Sequence, residues 1–395
     1  MREIRPISSD ELPAYVTRVQ ETFTGARPSS EEIEARRPVL EPCRMLGVFE
    51  DGALVATGST IPFQLTLPGG GPVPAAGISA ITVLPTHRRQ GLLTEILRRQ
   101  IDDARDHGEP VGILFASEGG IYGRFGFGMA TLQAELRVAR SRGSFTEAVD
   151  LGGLRFVERQ RSGELLDRIA ARATSAQPGA VTRSPEWWRY FAGSPVPVGE
   201  PDLEVVVRAE EDGFAAYRRQ IDSASWHGTL EVVLLLALIP PAYAALWRYC
   251  LDVDLMEGLL ARGRSVDEPL RFLLADPRAM ECSVTDGLWV RLLDVEAALN
   301  ARTYADDGRV VVRVEDEFCP WNGGSYAIEG GRCRRTDAQP GLVLPARALG
   351  ACYLGGVRFS ALVRVGVVRE LRDGAVARAD ALFASADTPW CPYHF

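Results

Sequence analysis

Residues 78–97, ISAITVLPTHRRQGLLTEIL, run from an apolar β-rich stretch through a basic turn into an amphipathic helix. No other stretch limits the possible folds as sharply. The strand signal covers 75–85 and stops at Pro85. Leu93, Leu97, Ile101 and Ala104 then recur at helical spacing, Leu92 and Ile96 widen the stripe, and Gly108 with Pro110 ends it. A continuous apolar strand, VGILFA (111–116), comes next, followed by the glycine-rich SEGGIYGRFGFG (117–128). Before the turn, 45–70 supplies two or three strands, with Glu50, Asp51 and Gly52 as a hairpin turn. Alternating strand and helix signals of this kind give an α/β (α+β) fold class.

The turn HRRQGLL suits an anion. A helix N-terminus offers unpaired N–H groups and the positive end of the dipole. Gly91 lets the backbone approach a phosphate closely, and Arg88 and Arg89 add charge. The turn is neither a Walker loop nor a G-x-G-x-x-G dinucleotide fingerprint. On spacing alone, any helix that opens after basic residues gives the same pattern.

Several function classes are excluded by bulk properties. At 395 residues the chain is long enough for two or three domains. A net charge of −8 argues against nucleic-acid binding and mildly favours cationic substrates. The most apolar run, VVLLLALI (232–239), is too short to span a bilayer and is closed by Pro240 and Pro241. No apolar run follows the opening charges, and the 7 cysteines are scattered, so a cytoplasmic protein with reduced thiols is expected. Cys391 and His394 form half a metal site with no second half, so no metal is expected.

A second alternating region follows a loose stretch at 140–150. It has helices at 163–174 and 241–252, and strands at 212–221 and 228–239. It echoes the first third, as a degenerate copy would. From 288 the composition shifts to a strand-rich 308–336, then helices around 345–354 and 357–371.

VLPTHRRQGLLTEIL resembles the acyl-CoA-binding motif of GCN5-related N-acetyltransferases (GNAT), [RQ]-x-x-G-x-[GA], with Leu93 at the last small position. ISAITVLPTHRRQGLL, ASEGGIYGRFGFG, CPWNGGSY and the chain end PWC…F together resemble the enhanced-intracellular-survival (Eis) family of aminoglycoside and lysine N-acetyltransferases. That resemblance covers the whole chain. It implies a GNAT domain at 1–143, a second, degenerate one at 144–290 and a sterol-carrier-protein-like domain at 291–395. It implies an acyltransferase that moves acetyl from acetyl-CoA to amines of aminoglycoside-type polyamines, without metal, and assembles as a homohexamer. Ile81, Thr82 and Val83 would pair with the pantetheine arm. Arg88, Arg89, Gln90, Gly91, Leu92, Leu93 and Thr94 would cradle the diphosphate. Ser117 and Glu118 would flank the thioester, Tyr122 would be the general acid, and the Phe395 carboxylate the proton acceptor.

The chemistry bears on those roles. A phenol giving its proton to a thiolate is uphill by about 2 kcal/mol. An α-carboxylate taking a proton from a free alkyl ammonium is uphill by about 8–9 kcal/mol. The carboxylate therefore fits only if the amine is losing its proton as the C–N bond forms, or if a water relays it. The aromatic, proline-stiffened PWCPYHF (389–395) would hold that carboxylate in place. Packing of the aromatics with a solvated carboxylate is the simpler alternative. His87, His107 and His227 have ordinary settings, while His394 would bring positive charge next to Phe395 below about pH 6.5. Two other functions stay open: acetylation of protein lysine side chains, and a lipid or sterol carrier built on GLVLPARALGACYLGGVRF (341–359).

Overall fold

The computed structural model describes residues 2–40, 43–69, 71–193 and 201–395, which form three sheets with helices on their faces. The first sheet has seven strands. It begins with β1 (Arg2–Pro6), β2 (Arg44–Glu50), β3 (Ala53–Thr66), β4 (Pro72–Val83) and β5 (Val111–Phe115), and ends with Leu288–Leu292 and Gly128–Met129. The β2–β3 hairpin closes on Asp51 and Gly52, both with positive φ, the twist a two-residue hairpin requires. Helices α1 (Leu12–Thr24), α2 (Ser30–Leu40) and α3 (Leu92–Asp106) accompany this sheet. The α3 helix buries Leu92, Ile96, Leu97, Ile101 and Ala104, most of the stripe its spacing marks out.

The second sheet also has seven strands, ordered Met280–Asp286, Leu132–Ala139, Met256–Arg264, Gly228–Ala237, Gly213–Ile221, Glu204–Val207 and Arg155–Phe156. The two sheets exchange chain. Leu132–Ala139 leaves the first segment to pair in the second sheet, and Leu288–Leu292 returns to pair with β5. Both crossings meet at Thr131, whose Oγ1 accepts from the Leu288 amide at 2.7 Å and whose carbonyl accepts from Gly287 at 2.9 Å.

The third sheet orders Arg332–Arg335, Gly324–Glu329, Val310–Glu315, Leu342–Pro345 and Arg369–Glu370. The helix expected over 357–371 runs only from Phe359 to Arg364. Gly366 adopts a left-handed φ of 72°, and Arg369–Glu370 turns back to pair with Leu342–Pro345. The interior of this unit is filled by Tyr326, Ile328, Leu349, Tyr353, Phe359, Leu382 and Phe383. The buried Arg302 guanidinium donates to the carbonyls of Tyr353 at 2.6 Å and Phe383 at 3.1 Å.

One apolar core runs through all three units, from Val111 and Leu288 through Trp188 and Phe214 to Val312 and Tyr353. Trp390, Cys391 and Tyr393 of the chain end are buried in it. Each such side chain contributes about 1.5–3 kcal/mol on leaving water, so the tail is tied down by packing.

Candidate active site

The cleft begins where β4 and β5 part. Their parallel pairing covers only Ala75, Ala76 and Gly77 on β4, so the rest of β4 has no β5 partner. A bulge sharpens the divergence. Thr57 pairs with Thr82 and Ser59 with Ser79, leaving Ala80 (φ 50°) and Ile81 opposite Gly58. Thr57 Oγ1 donates to the bulged Ala80 carbonyl at 2.8 Å and meets Thr82 Oγ1 at 2.7 Å, fixing the kink.

The turn after β4 leaves amides open. Arg89 has φ 62°, and Gly91, the residue capping α3, has φ 84°. At Gly91 a Cβ would have room, so the backbone conformation, rather than crowding, favours glycine. No side chain caps the helix, and among the described residues the amides of Leu92, Leu93 and Thr94 donate to no protein acceptor. Fifteen residues of helix dipole end there.

These surfaces enclose a cleft of about 1030 Å³. It gathers Ile81, Thr82, Val83, Arg88, Arg89, Gly91, Leu92, Leu93, Thr94, Ser117, Glu118 and Tyr122, the residues nominated from sequence apart from Gln90 and Phe395. The Gln90 side chain turns away and accepts from Arg2 at 2.6 Å. Arg98 and Arg124 join the lining, so four arginines face one carboxylate, Glu118. Phe23 at the end of α1 and Phe318 from the third unit also line it; Arg98 stacks on Phe318 at 4.5 Å. Arg98 carries a sequence signal, lying two helical turns below Gly91. Phe318 carries none, because its approach depends on docking of the third unit.

That docking is a buried ion pair. Arg291 Nη2 meets Asp316 at 2.7 Å, and Arg291 Nη1 donates to the Phe125 carbonyl. Gly126 is required here, since a Cβ would collide with the Arg291 guanidinium. The sequence CPWNGGSY supplies the adjoining contacts. Asn322 Nδ2 donates to the Leu292 carbonyl at 3.1 Å, and Trp321 Nε1 to that of Leu293 at 2.9 Å. The loop that follows Tyr122 is thereby held from behind.

Tyr122 ends the short helix Gly119–Tyr122 and is buried. Burial pushes its phenol above the ordinary value; the Ser117 hydroxyl counters this and Glu118 adds to it. The phenol is therefore un-ionised at physiological pH. Phe395 lies at the far end of β5. Its ring sits 5.3 Å from Phe115 and 4.7 Å from Phe63, and His394 stacks on Phe115 at 4.0 Å. The tail thus packs on Phe115 at the end of β5, two residues before Ser117 in the chain, while neither Phe115 nor Phe395 lines the cleft. Among the described residues no ion pair engages the Phe395 carboxylate. Cys391 Sγ donates to the Tyr393 carbonyl and His394 Nε2 faces Gln133 at 2.9 Å, so the two side chains have separate partners. Among the described residues no group of three or more His, Cys, Asp or Glu could hold a metal, and no helix is long and apolar enough to cross a membrane.

Residues 3–130 and 179–292 each match an acetyltransferase (GNAT) domain, and 295–392 match a sterol carrier protein domain. The N-acetyltransferase Eis of Mycobacterium tuberculosis is 35% identical over 360 residues, 87% of each chain. The chain belongs to the Eis family. An uncharacterized N-acetyltransferase of Streptomyces avermitilis is 40% identical, covering 100% of this chain and 99% of the relative. The crystal structure of Eis1 from Mycobacterium abscessus superposes with a TM-score of 0.87 at 36% identity over the whole of both chains. A GCN5-related N-acetyltransferase of Anabaena variabilis shares the fold at 17% identity, TM-score 0.86. The Eis-type architecture is therefore two GNAT domains and a sterol-carrier-type domain, and the chain is an acetyl-CoA-dependent N-acetyltransferase.

Proposed function

We propose that this Eis-family chain transfers acetyl from acetyl-CoA directly to a primary amine of an aminoglycoside-type polyamine, with Tyr122 as general acid and the Phe395 carboxylate as general base. One observation carries the reading: a cleft with open helix amides and arginines at one end leads to a buried, neutral phenol at the other. The diphosphate would take the amides of Leu92, Leu93 and Thr94, with Gly91 at the turn and Arg88 and Arg89 alongside. Gln90 would offer only its backbone. The pantetheine arm would follow Ile81, Thr82 and Val83 into the gap between β4 and β5, as an added strand does. The thioester would then lie between Ser117, Glu118 and Tyr122.

The amine lone pair attacks the thioester carbonyl carbon and forms the C–N bond. The C–S bond breaks as the tetrahedral species collapses, and the Tyr122 phenol gives its proton to the departing sulfur. The proton shed by the new ammonium passes to the Phe395 carboxylate through a bridging water, and solvent restores both groups. The acceptor class follows from the family resemblance and from the net charge of −8, which draws polycations to the protein. The carrier alternative is weakened by the filled interior of the third unit.

A thiol-release assay with acetyl-CoA against a panel of aminoglycosides and lysine peptides tests the acceptor, with product mass counting acetyl groups. All 44 basic residues are arginine, so no lysine of the enzyme itself confuses that count. Turnover on aminoglycosides supports the proposal, whereas turnover on peptides alone overturns the acceptor. Appending residues beyond Phe395 should reduce turnover by a hundredfold or more, on the scale of losing a general base. An undiminished rate would remove the carboxylate from the mechanism.

A further inference from the structure

Arg183 is a half-buried cation, its Nε shielded from solvent, that the chemistry above does not use. It projects from a segment stitched to β3. Thr66 donates to the Ala180 carbonyl at 2.8 Å and Gly179 to that of Thr66 at 2.9 Å, while Thr182 Oγ1 accepts from Gln64 at 3.0 Å. The backbone leading into Arg183 is therefore fixed by the first sheet. Its guanidinium lies 4.5 Å from the Trp187 ring, 5.3 Å from Phe63, 5.6 Å from Tyr393 and 5.8 Å from Phe395. One Nη donates to the carbonyl of His394, while Nε is buried with no hydrogen-bond partner. Among the described residues no carboxylate forms an ion pair with it. The titratable groups around it are Cys43, Cys391, Tyr393 and His394, and burial pulls its own pKa down to about 10.

A half-buried guanidinium with a shielded, unpartnered Nε and no carboxylate carries a desolvation cost that ring faces and a backbone carbonyl offset in part. The contacts converge on the last three residues of the chain. We propose that Arg183 is the positioning residue of the C-terminus: it clamps the His394 carbonyl and the Phe395 ring and leaves the terminal carboxylate without an ion pair. A direct Arg–carboxylate pair would fix the tail equally well but would strip the carboxylate of basicity. Holding the preceding carbonyl separates the two demands. The inference rests on the reading of Phe395 as proton acceptor for its purpose, though not for its geometry.

Residues upstream hold the tail independently, which makes the clamp separable from folding. The Trp390 amide donates to Pro178 O at 2.8 Å, its indole N–H to Gly263 O at 2.7 Å, and Gln177 Nε2 to Thr388 O at 2.9 Å. The test is the rate at which carboxypeptidase A frees Phe395 from the intact protein, read beside kcat and the KM for acetyl-CoA. Arg183→Met should raise release about tenfold and lower kcat about tenfold at unchanged KM, and Arg183→Lys should recover part of both. Trp187→Leu, which removes one ring, should raise release about threefold should the Met variant fold poorly. Release within twofold of the parent in both variants would overturn the clamp. A Phe395 deletion run in parallel separates the two claims. Full turnover there sinks the catalytic use of the carboxylate, while the release rates still judge the clamp.

Discussion

The two GNAT domains begin from one plan and end with different equipment. In each, a strand parts from its parallel neighbour and a helix opens after it. Before α3 the first domain has Gly91 in a left-handed turn, two arginines and open amides. The corresponding helix of the second domain, Pro240–Asp252, starts with two prolines, which delete two of the N–H groups an anion would need. Its slot is also filled. Arg264 Nη1 donates to the Leu235 carbonyl at 2.9 Å on the free half of Gly228–Ala237, and Arg264 Nε pairs with Glu268 at 2.9 Å. The Tyr243 hydroxyl donates to Glu268 as well. A side chain occupies the place where the first domain keeps a strand edge free. The same guanidinium lies 5.1 Å from the Trp390 ring. The second domain has exchanged a cofactor slot for a dock for the tail, and the difference between the copies is one between open and satisfied polar groups.

Four substitutions test that contrast, the largest effect first. Tyr122→Phe should cut kcat by about 10²–10⁴-fold while leaving the KM for acetyl-CoA nearly unchanged, since only the proton donor is removed. Steady-state kinetics checks it, and an unaltered kcat would mean that the first copy's phenol is a packing residue. Glu268→Ala should lower stability by about 3–5 kcal/mol in urea unfolding, because Arg264 is left buried without its partner. A loss below about 1 kcal/mol would show that the plug is wet and the slot only partly closed. Gly91→Ala, forced to re-form a left-handed turn on binding, should weaken acetyl-CoA about fivefold. Unchanged affinity would place the diphosphate elsewhere. Pro240→Ala returns an N–H to the second domain, yet stability should stay within about 0.5 kcal/mol and no second acetyl-CoA should bind. A gained site would show that the prolines, rather than Arg264, close that slot.

How much of this the sequence disclosed follows from how local each feature is. The Arg88 to Leu93 turn, the α3 stripe and the 163–174 helix depend on neighbours within a few positions, and they appear where periodicity puts them. The helix expected over 357–371 fails at Gly366, whose left-handed backbone outweighs the apolar pattern around it. The exchange of Leu132–Ala139 and Leu288–Leu292 between sheets was not legible, because strand partners are chosen at long range. Arg264 and Glu268 stand at ordinary i, i+4 spacing, and nothing local says that the pair enters a slot. Phe318 reaches the cleft, and Arg183 the chain end, only through docking of separate units. Hidden features are the tertiary ones.

Calorimetric titration of acetyl-CoA into the intact chain, repeated on Arg88→Gln/Arg89→Gln, tests most directly that a single open helix start grips the cofactor. One acetyl-CoA per chain is predicted, with affinity falling at least tenfold in the double variant and weakening as salt rises. Two per chain, or binding indifferent to both arginines, would contradict it.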